Sequence, residues 1–307
     1  MTSIQIHSNR VKGILFASTT AFLWGFLAIA LKVAVTHVDA VTVAWFRFFF
    51  AFIALFIILL SANKGHVKMI GSPPLLAMIA GIGLGFNYVG YIKGLELTSP
   101  SSAQIIIQLA PLMLAVVGLV LFREKLTRLQ GLGFVLALTG FFMFYKDQLG
   151  FLFSDGHKSF NLGVIMVIIG AISWVVYAAL QKLLVKKYHA QSLNLIIYLV
   201  PTIMLIPFIT ISNLSSLSTG LWALMIFLGI NTLVAYGALA EAFKYLEANK
   251  VGIIITLNPM ITIATMLMLT YLEVSWIAPE YISIQGVLGA VLVVSGAVLA
   301  VSSRKKK

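Results

Sequence analysis

The sequence contains no cysteine, and this absence excludes several kinds of chemistry. Disulfides, thiol nucleophiles and cysteine-ligated metal sites cannot form, and no prenyl or palmitoyl anchor can be attached. The five histidines are scattered along the chain and suggest no metal pair. A phosphate-binding glycine loop, a Ser-His-Asp set and a carboxylate pair are also missing. We therefore expect no enzyme, no cofactor, no metal site and no ATP-driven work by this chain.

Charge is also scarce, and acidic charge most of all. Only 10% of residues are charged, with 9 Asp and Glu against 21 Lys and Arg, while 61% are hydrophobic. A soluble domain is about a quarter charged. The basic residues lie in short loops between apolar runs, so they indicate membrane topology rather than nucleic-acid binding. The expected partners are the lipid bilayer and a small-molecule substrate, and we expect a functional monomer.

Long apolar runs fill most of the remaining sequence. A membrane-spanning helix needs about 20 apolar residues, and ten segments meet this requirement. They predict an all-α polytopic membrane protein with ten transmembrane helices. The predicted spans are 13–34, 41–60, 74–94, 100–122, 129–146, 162–184, 193–212, 220–243, 250–272 and 281–302.

The basic residues predict the orientation of these spans. With the N-terminus inside, sixteen Lys and Arg residues fall on the cytoplasmic side and three on the outer side. Both termini are then cytoplasmic, with short tails at 1–9 and 304–307. The first apolar run is too long for a signal-peptide core, so we expect it to be retained as a span.

The two halves of the chain repeat each other. Residues matched at shifts of 148 or 150 include Trp24 with Trp174, Lys32 with Lys182, Tyr88 with Tyr236, and Pro111 with Pro259. The predicted repeats cover 10–147 and 160–303, with five spans each. Because five is odd, the second copy crosses the membrane in the opposite sense. Such an inverted-topology repeat can alternate access to a site between its halves.

Polar and aromatic side chains gather at the middle of several predicted spans. In a bilayer such groups must face a partner or a water-filled cavity, so they could line a site for an amphipathic solute. Hydrogen bonding between helices, with the aromatic rings as packing, is the alternative. The candidate substrate-binding residues are Trp24, Asn87, Tyr88, Tyr91, Gln104, Gln108, Trp174, Tyr177, Asn231, Tyr236 and Asn258.

Pro111 and Pro259 break the fourth and ninth predicted spans. Proline lacks an N–H group, so Pro111 should free a carbonyl near residue 107. Apolar segments that are interrupted by proline at matching positions of two repeats point to the binding site of a transporter.

Charged residues inside the spans leave alternatives open. Arg47 either binds a carboxylate or phosphate, or it snorkels or contacts backbone carbonyls. Glu241 could couple transport to protons, or form an i, i+3 surface pair with Lys244. Lys32 and Lys182 end their spans and are most simply interfacial anchors.

The order of these motifs resembles the EamA-type repeat of the drug/metabolite transporter superfamily. The resemblance rests on Trp24-Gly25, Lys32, Arg47-Phe48, Pro111-Leu112, Glu124-Lys125-Leu126 and Gln130-Gly131 in the first copy, and on Trp174, Lys182, Pro259, Glu273 and Gln285-Gly286 in the second. It implies an inner-membrane secondary transporter, often an exporter of amino acids or related metabolites, with a central cavity. Ile197 stands where a second Arg47 would fall, so no particular substrate is carried over.

We therefore expect a secondary active exporter of a small amphipathic metabolite, such as an amino acid, that works by alternating access around a midplane cavity. A facilitative channel or uniporter, an importer, and a membrane-embedded lipid-modifying enzyme are the alternatives. The polar residues gather at mid-depth rather than forming a continuous stripe, which disfavours a channel. No catalytic constellation can be read, which disfavours the enzyme.

Overall fold

The computed structural model describes residues 3–62, 64–121, 127–149, 158–215, 217–246 and 248–301. Every regular element within these ranges is helical. The Glu124-Lys125-Leu126 motif and the tail 304–307 lie outside the described residues. In chain order the α-helices are α1 (Ser3–Ala34), α2 (Ala40–Ala62), α3 (Leu75–Leu97), α4 (Pro100–Ile106), α5 (Leu109–Leu121), α6 (Arg128–Leu149), α7 (Lys158–Leu184), α8 (Ala190–Leu205), α9 (Ile211–Ser215), α10 (Thr219–Tyr245), α11 (Ala248–Ile255), α12 (Asn258–Tyr271) and α13 (Ile284–Val301).

Six described helices are long and apolar enough to cross a bilayer: α1, α2, α3, α7, α8 with its 3-10 extension to Phe208, and α10. The other four predicted spans fall on shorter helices. The prediction 100–122 covers α4 and α5, and 250–272 covers α11 and α12. The predictions 129–146 and 281–302 fall on α6 and α13. The prediction of an all-helical protein with membrane-type helices is confirmed for the described residues.

Apolar side chains cover the outside of the helix bundle, and polar side chains are buried within it. Phe22, Ile57 and Leu138 are exposed by 59%, 59% and 62%, whereas Arg47 and Asn194 are exposed by 2% and 0%. A water-soluble protein would show the opposite distribution. This arrangement suits a bundle whose outer surface contacts lipid.

Two helix pairs approach closely through glycine. A Cβ atom on Gly90 of α3 would lie 2.7 Å from the carbonyl oxygen of Met166 on α7. A Cβ atom on Gly289 of α13 would lie 2.5 Å from the backbone nitrogen of Phe144 on α6. Small residues let membrane helices pack backbone against backbone. The backbones of α3 and α7, and those of α6 and α13, are therefore in direct contact at these glycines.

The fourth and ninth predicted spans are broken shortly before Pro111 and Pro259, and the backbone bonds at the breaks differ from the prediction. At the first break, Gln108 N–H donates to the Ile105 carbonyl over 3.1 Å, and Ala110 N–H donates to the Ile107 carbonyl over 2.9 Å. The predicted free carbonyl near residue 107 is therefore wrong, because Ile107 gains a tighter i to i−3 bond. Leu257 and Met260 form similar bonds at the second break, beside Pro259.

Candidate functional site

A cavity of about 70 Å³ lies at the centre of the bundle, where the two broken segments meet α1, α2, α3, α7 and α10. Its size is well below the ~300–1,000 Å³ of pockets that hold drug-sized ligands. The lining residues are Trp24, Leu27, Arg47, Asn87, Tyr88, Tyr91, Ile92, Gln104, Ile107, Gln108, Ala110, Pro111, Trp174, Tyr236, Ile255 and Asn258.

Aromatic rings from both halves of the chain form one wall of the cavity. The ring centroids of Trp24 and Tyr236 lie 5.1 Å apart, and those of Trp24 and Trp174 lie 6.4 Å apart in an edge-on arrangement. The Tyr88 ring lies 5.8 Å from the Tyr236 ring. Such tilted contacts are favourable aromatic geometries. The matched residues of the sequence repeat therefore meet across the centre of the molecule.

Amide side chains line another part of the cavity, and their bonds join the broken segments. Gln108 Nε2 donates to Asn258 Oδ1 over 3.0 Å. Gln104 Nε2 donates to the Trp24 carbonyl over 2.8 Å and to Thr262 Oγ1 over 3.2 Å. These residues are at most 9% exposed. The amides thus hold α4, α12 and α1 together at the depth of the helix breaks.

Asn87 is a fourth amide in the lining, and its bond reaches a different helix. Asn87 Nδ2 donates to the Gly170 carbonyl on α7 over 2.9 Å. The bond lies beside the close approach of α3 to α7 at Gly90, since a Cβ on Gly170 would touch the Asn87 carbonyl oxygen at 3.1 Å. Asn87 therefore fixes the α3–α7 pair where that pair borders the cavity.

Arg47 carries a buried positive charge in the lining. Its Nε donates to Thr232 Oγ1 over 3.0 Å, and its Nη2 donates to the Tyr88 hydroxyl over 3.3 Å. The guanidinium carbon lies 4.4 Å from the centre of the Tyr88 ring. With 2% exposure, this side chain does not snorkel to an interface. It is anchored from one side by neutral groups on α3 and α10.

Two polar atoms of lining residues have no hydrogen-bond partner among the described residues. They are Trp24 Nε1, a donor, and Gln108 Oε1, an acceptor. Buried polar atoms are normally bonded, because leaving one unmet costs about 1–3 kcal/mol. Two of the residues that line the cavity thus each carry one buried polar atom that remains unbonded.

Four predicted functional residues do not line the cavity. Tyr177 lies behind its wall, with its ring 5.7 Å from that of Tyr236. Asn231 Nδ2 donates to the Leu23 carbonyl over 3.0 Å and ties α10 to α1. Glu241 contacts Lys244 at 3.4 Å, which matches the surface-pair alternative in its geometry. Pro259 follows Asn258 at the start of α12.

The matched lysines act as helix caps in addition to ending their spans. Lys32 Nζ donates to the carbonyls of Leu95, Glu96 and Thr98 at 2.6–2.9 Å, at the end of α3. Lys182 Nζ donates to the carbonyls at the end of α10, over 2.7 Å to Phe243 and 2.6 Å to Leu246. The last carbonyls of a helix lack intrahelical donors, and a cation there also opposes the helix dipole. The prediction of simple interfacial anchors missed this role.

Sequence reasoning also missed Thr232 and Glu280. Thr232 bonds Arg47, yet threonine is common in apolar helices and gave no distinct signal. Glu280 precedes α13, and its carboxylate accepts from Ser101 N–H over 3.3 Å. Burial raises the pKa of the Glu280 carboxyl, against the lowering effects of the Ser101 bonds and Lys32. No sequence pattern indicated that this loop folds back onto α4.

A helical membrane bundle with a central polar and aromatic cavity is typical of membrane transporters. The chain belongs to the EamA-like transporter family, whose profile matches residues 11–146 and 161–302. The family resemblance found in the sequence is thereby confirmed.

Curated relatives agree with this assignment. The chain is 33% identical to an uncharacterized transporter of Haemophilus influenzae over 295 residues, which cover 95% of each protein. It is 33% identical to the uncharacterized inner membrane transporter YhbE of Escherichia coli K12 over 93% of this chain and 89% of that protein. A solved crystal structure shares the fold with a TM-score of 0.66 at 19% identity, covering 95% of this chain and 96% of that one.

Proposed function

We propose that the protein is a secondary active transporter that exports a small amphipathic metabolite, such as an amino acid or a related compound. The observation that carries the proposal is the central cavity, whose lining combines aromatic rings, amides and one charge. Aromatic and aliphatic walls suit an apolar body, and the few polar groups fix its orientation. The small cavity volume favours a small solute and a site that widens when the solute enters.

The proposed mechanism is alternating access between two inverted five-helix repeats, which together form ten transmembrane helices. Three observations support it. The family profile matches twice, at 11–146 and 161–302. The broken segments α4–α5 and α11–α12 occupy matching places in the helix order. The Lys32 cap joins α1 to α3, and the Lys182 cap joins α7 to α10, so the first and third long helices are linked in both halves. Rocking of one repeat against the other would expose the site to each side in turn.

The proposed location is the bacterial inner membrane, with both termini in the cytoplasm. The positive-inside distribution of Lys and Arg supports the orientation. The name of the E. coli relative, an inner membrane transporter, supports the membrane.

Counterflow in proteoliposomes tests the function. Purified full-length protein is reconstituted, and the liposomes are loaded with one unlabelled solute from a panel of amino acids, other short carboxylates and neutral amphipathic metabolites. Uptake of the same solute in labelled form is then followed. We expect transient accumulation above the external concentration for at least one solute, with protein-free liposomes as the control. If no solute of the panel accumulates, the proposal is contradicted.

The same assay separates a carrier from a channel or an enzyme. A carrier gives counterflow because loaded solute drives exchange through one alternating site. A channel lets the label only equilibrate, without the transient excess. An enzyme would convert the solute, which chromatography of the recovered label would reveal.

A further inference from the structure

The charge balance of the cavity is incomplete. Among the described residues that line it, Arg47 alone is charged. The ion pairs found in the described part of the chain are those of Lys93 with Glu96 and of Lys244 with Glu241, and neither involves Arg47. A guanidinium cannot lose its proton in a protein, so a buried positive charge faces the cavity with no counter-charge among the described residues.

The hydrogen bonds of Arg47 leave the Nη1 side of its guanidinium group available. Thr232 and Tyr88 accept from Nε and Nη2, while the described residues supply no acceptor to Nη1. The two existing bonds, together with the ring of Tyr88 at 4.4 Å, fix the plane of the guanidinium. A pre-oriented guanidinium with unused donors is the arrangement that binds planar anions well.

We infer that the solute is a small organic monocarboxylate, whose carboxylate accepts hydrogen bonds from Arg47. This inference rests on the proposed transport function and names the chemical group that the site selects. A single buried cation compensates one negative charge. A phosphate dianion would leave one charge uncompensated in a low-dielectric site, so a carboxylate fits better than a phosphate.

The remaining groups of the cavity constrain the body of this carboxylate. The unpartnered Trp24 Nε1–H is a donor and the unpartnered Gln108 Oε1 is an acceptor. The carboxylate of the solute can accept a hydrogen bond from Trp24 Nε1, and a donor elsewhere on the solute can bond Gln108 Oε1. The aromatic wall around Tyr236 and Trp174 offers apolar contact. The solute is therefore a short carboxylate with an aliphatic or aromatic body.

Binding to the full-length protein in nanodiscs tests the inference with matched probes. The probes are phenylacetate against phenylacetamide, and 4-methylpentanoate against 4-methylpentanamide, each measured by calorimetry. The members of a pair differ mainly in charge. We expect each acid to bind at least about tenfold more tightly than its amide, as a charge-assisted hydrogen bond provides. Phenyl phosphate should bind more weakly than phenylacetate.

Variants assign the preference to Arg47. In Arg47→Gln the ratio of acid to amide affinity should fall to about one, whereas a purely structural role would lower stability and leave the ratio unchanged. Arg47→Lys keeps the charge without the planar fork and should give an intermediate ratio. Lys187→Gln removes one exposed positive charge outside the cavity and serves as the matched control, with its ratio preserved.

The outcomes separate the inference from the proposed function. Equal affinities of acid and amide for the wild-type protein, no binding of either acid, or a preference that persists in Arg47→Gln would overturn the carboxylate site. The wild-type comparison needs no variant to fold. Counterflow of neutral solutes alone would sustain transport and overturn the inference. An acid preference without counterflow of any solute would sustain the binding site and contradict transport.

Discussion

Gln108 illustrates how one side chain serves two purposes at the centre of this molecule. Its amide nitrogen bonds Asn258 across the two halves, while its oxygen has no partner among the described residues. The sequence repeat places Ala110 opposite Asn258 and Thr256 opposite Gln108. The bond therefore joins residues that have no equivalents in the other half, and the chemistry of the cavity is less symmetric than its scaffold.

A double-mutant cycle on Gln108 and Asn258 tests this bond. Gln108→Leu leaves Asn258 Oδ1 buried without its donor, and Asn258→Leu leaves Gln108 Nε2 with only its 3.4 Å bond to the Gln104 carbonyl. We therefore expect each single change to lower the free energy of unfolding by about 1–3 kcal/mol. The double variant should be at least as stable as the less stable of the two single variants, because neither amide of the pair is left without its partner. Thermal or denaturant unfolding in nanodiscs measures the three variants. Additive losses would show that the two amides are not coupled.

At the scale of helices, close packing through glycine decides which elements can move independently. The α3–α7 contact joins a helix of the first half to one of the second, and Gly90, Gly94, Gly163 and Gly170 all lie within it. A Cβ atom added at these positions would meet mainly backbone atoms, which cannot rotate away. Any rearrangement that opens the cavity must keep this contact or slide along it.

Replacement of Gly90 by alanine should therefore be costly. The new methyl group would lie 2.7 Å from the Met166 carbonyl oxygen and 3.0 Å from the Gly170 nitrogen. Overpacking of this kind costs about 1–3 kcal/mol, and we expect a lower melting temperature with counterflow reduced in parallel. Gly131→Ala is the matched control, because nothing lies within 4 Å of the added atom. A Gly90→Ala protein as stable as this control would contradict the packing argument.

The helix breaks show what the sequence could and could not predict at this scale. Pro111 and Pro259 predicted two interrupted segments, since proline removes a donor wherever it occurs. The break at Ile107 and Gln108 comes before Pro111, and its position depends on the i to i−3 bonds that the local backbone adopts. Periodicity carries no information about such bonds, so the proline signal located the segments but not the turns.

At the scale of the whole molecule, the predicted site residues fall into two groups. Some lie on helix surfaces that face the cavity, and others lie on surfaces that face a neighbouring helix. Trp24, Gln104 and Asn258 are polar or aromatic residues at mid-depth of their predicted spans, and all three line the cavity. Asn231 met the same criterion, yet it bonds the backbone of Leu23. Depth along a span can be read from the sequence, but the direction in which a helix faces is set by its neighbours. Thr232, the residue after Asn231, faces Arg47 and bonds it. The sequence does not reveal this direction, so Thr232 was not predicted.

The absence of cysteine in the sequence makes the inverted repeat directly testable by labelling. Thr36 and Lys186 are equivalent under the shift of 150, each follows the first long helix of its half, and both are exposed. If the repeats are inverted, these two positions face opposite sides of the membrane. A single cysteine at each position should then react with a membrane-impermeant maleimide from opposite sides.

With the N-terminus in the cytoplasm, Thr36→Cys should be labelled in intact cells in which the maleimide reaches the outer face of the inner membrane. Lys186→Cys should be labelled only after that membrane is permeabilised, and the unmodified chain is the control for background reaction. Labelling of Lys186→Cys alone in intact cells would reverse the orientation and keep the inversion. If both cysteines were labelled equally before permeabilisation, or if neither were labelled until after it, positions 36 and 186 would lie on the same side of the membrane. The halves could not then be inverted copies, and alternating access by exchange of equivalent repeats would lose its structural basis.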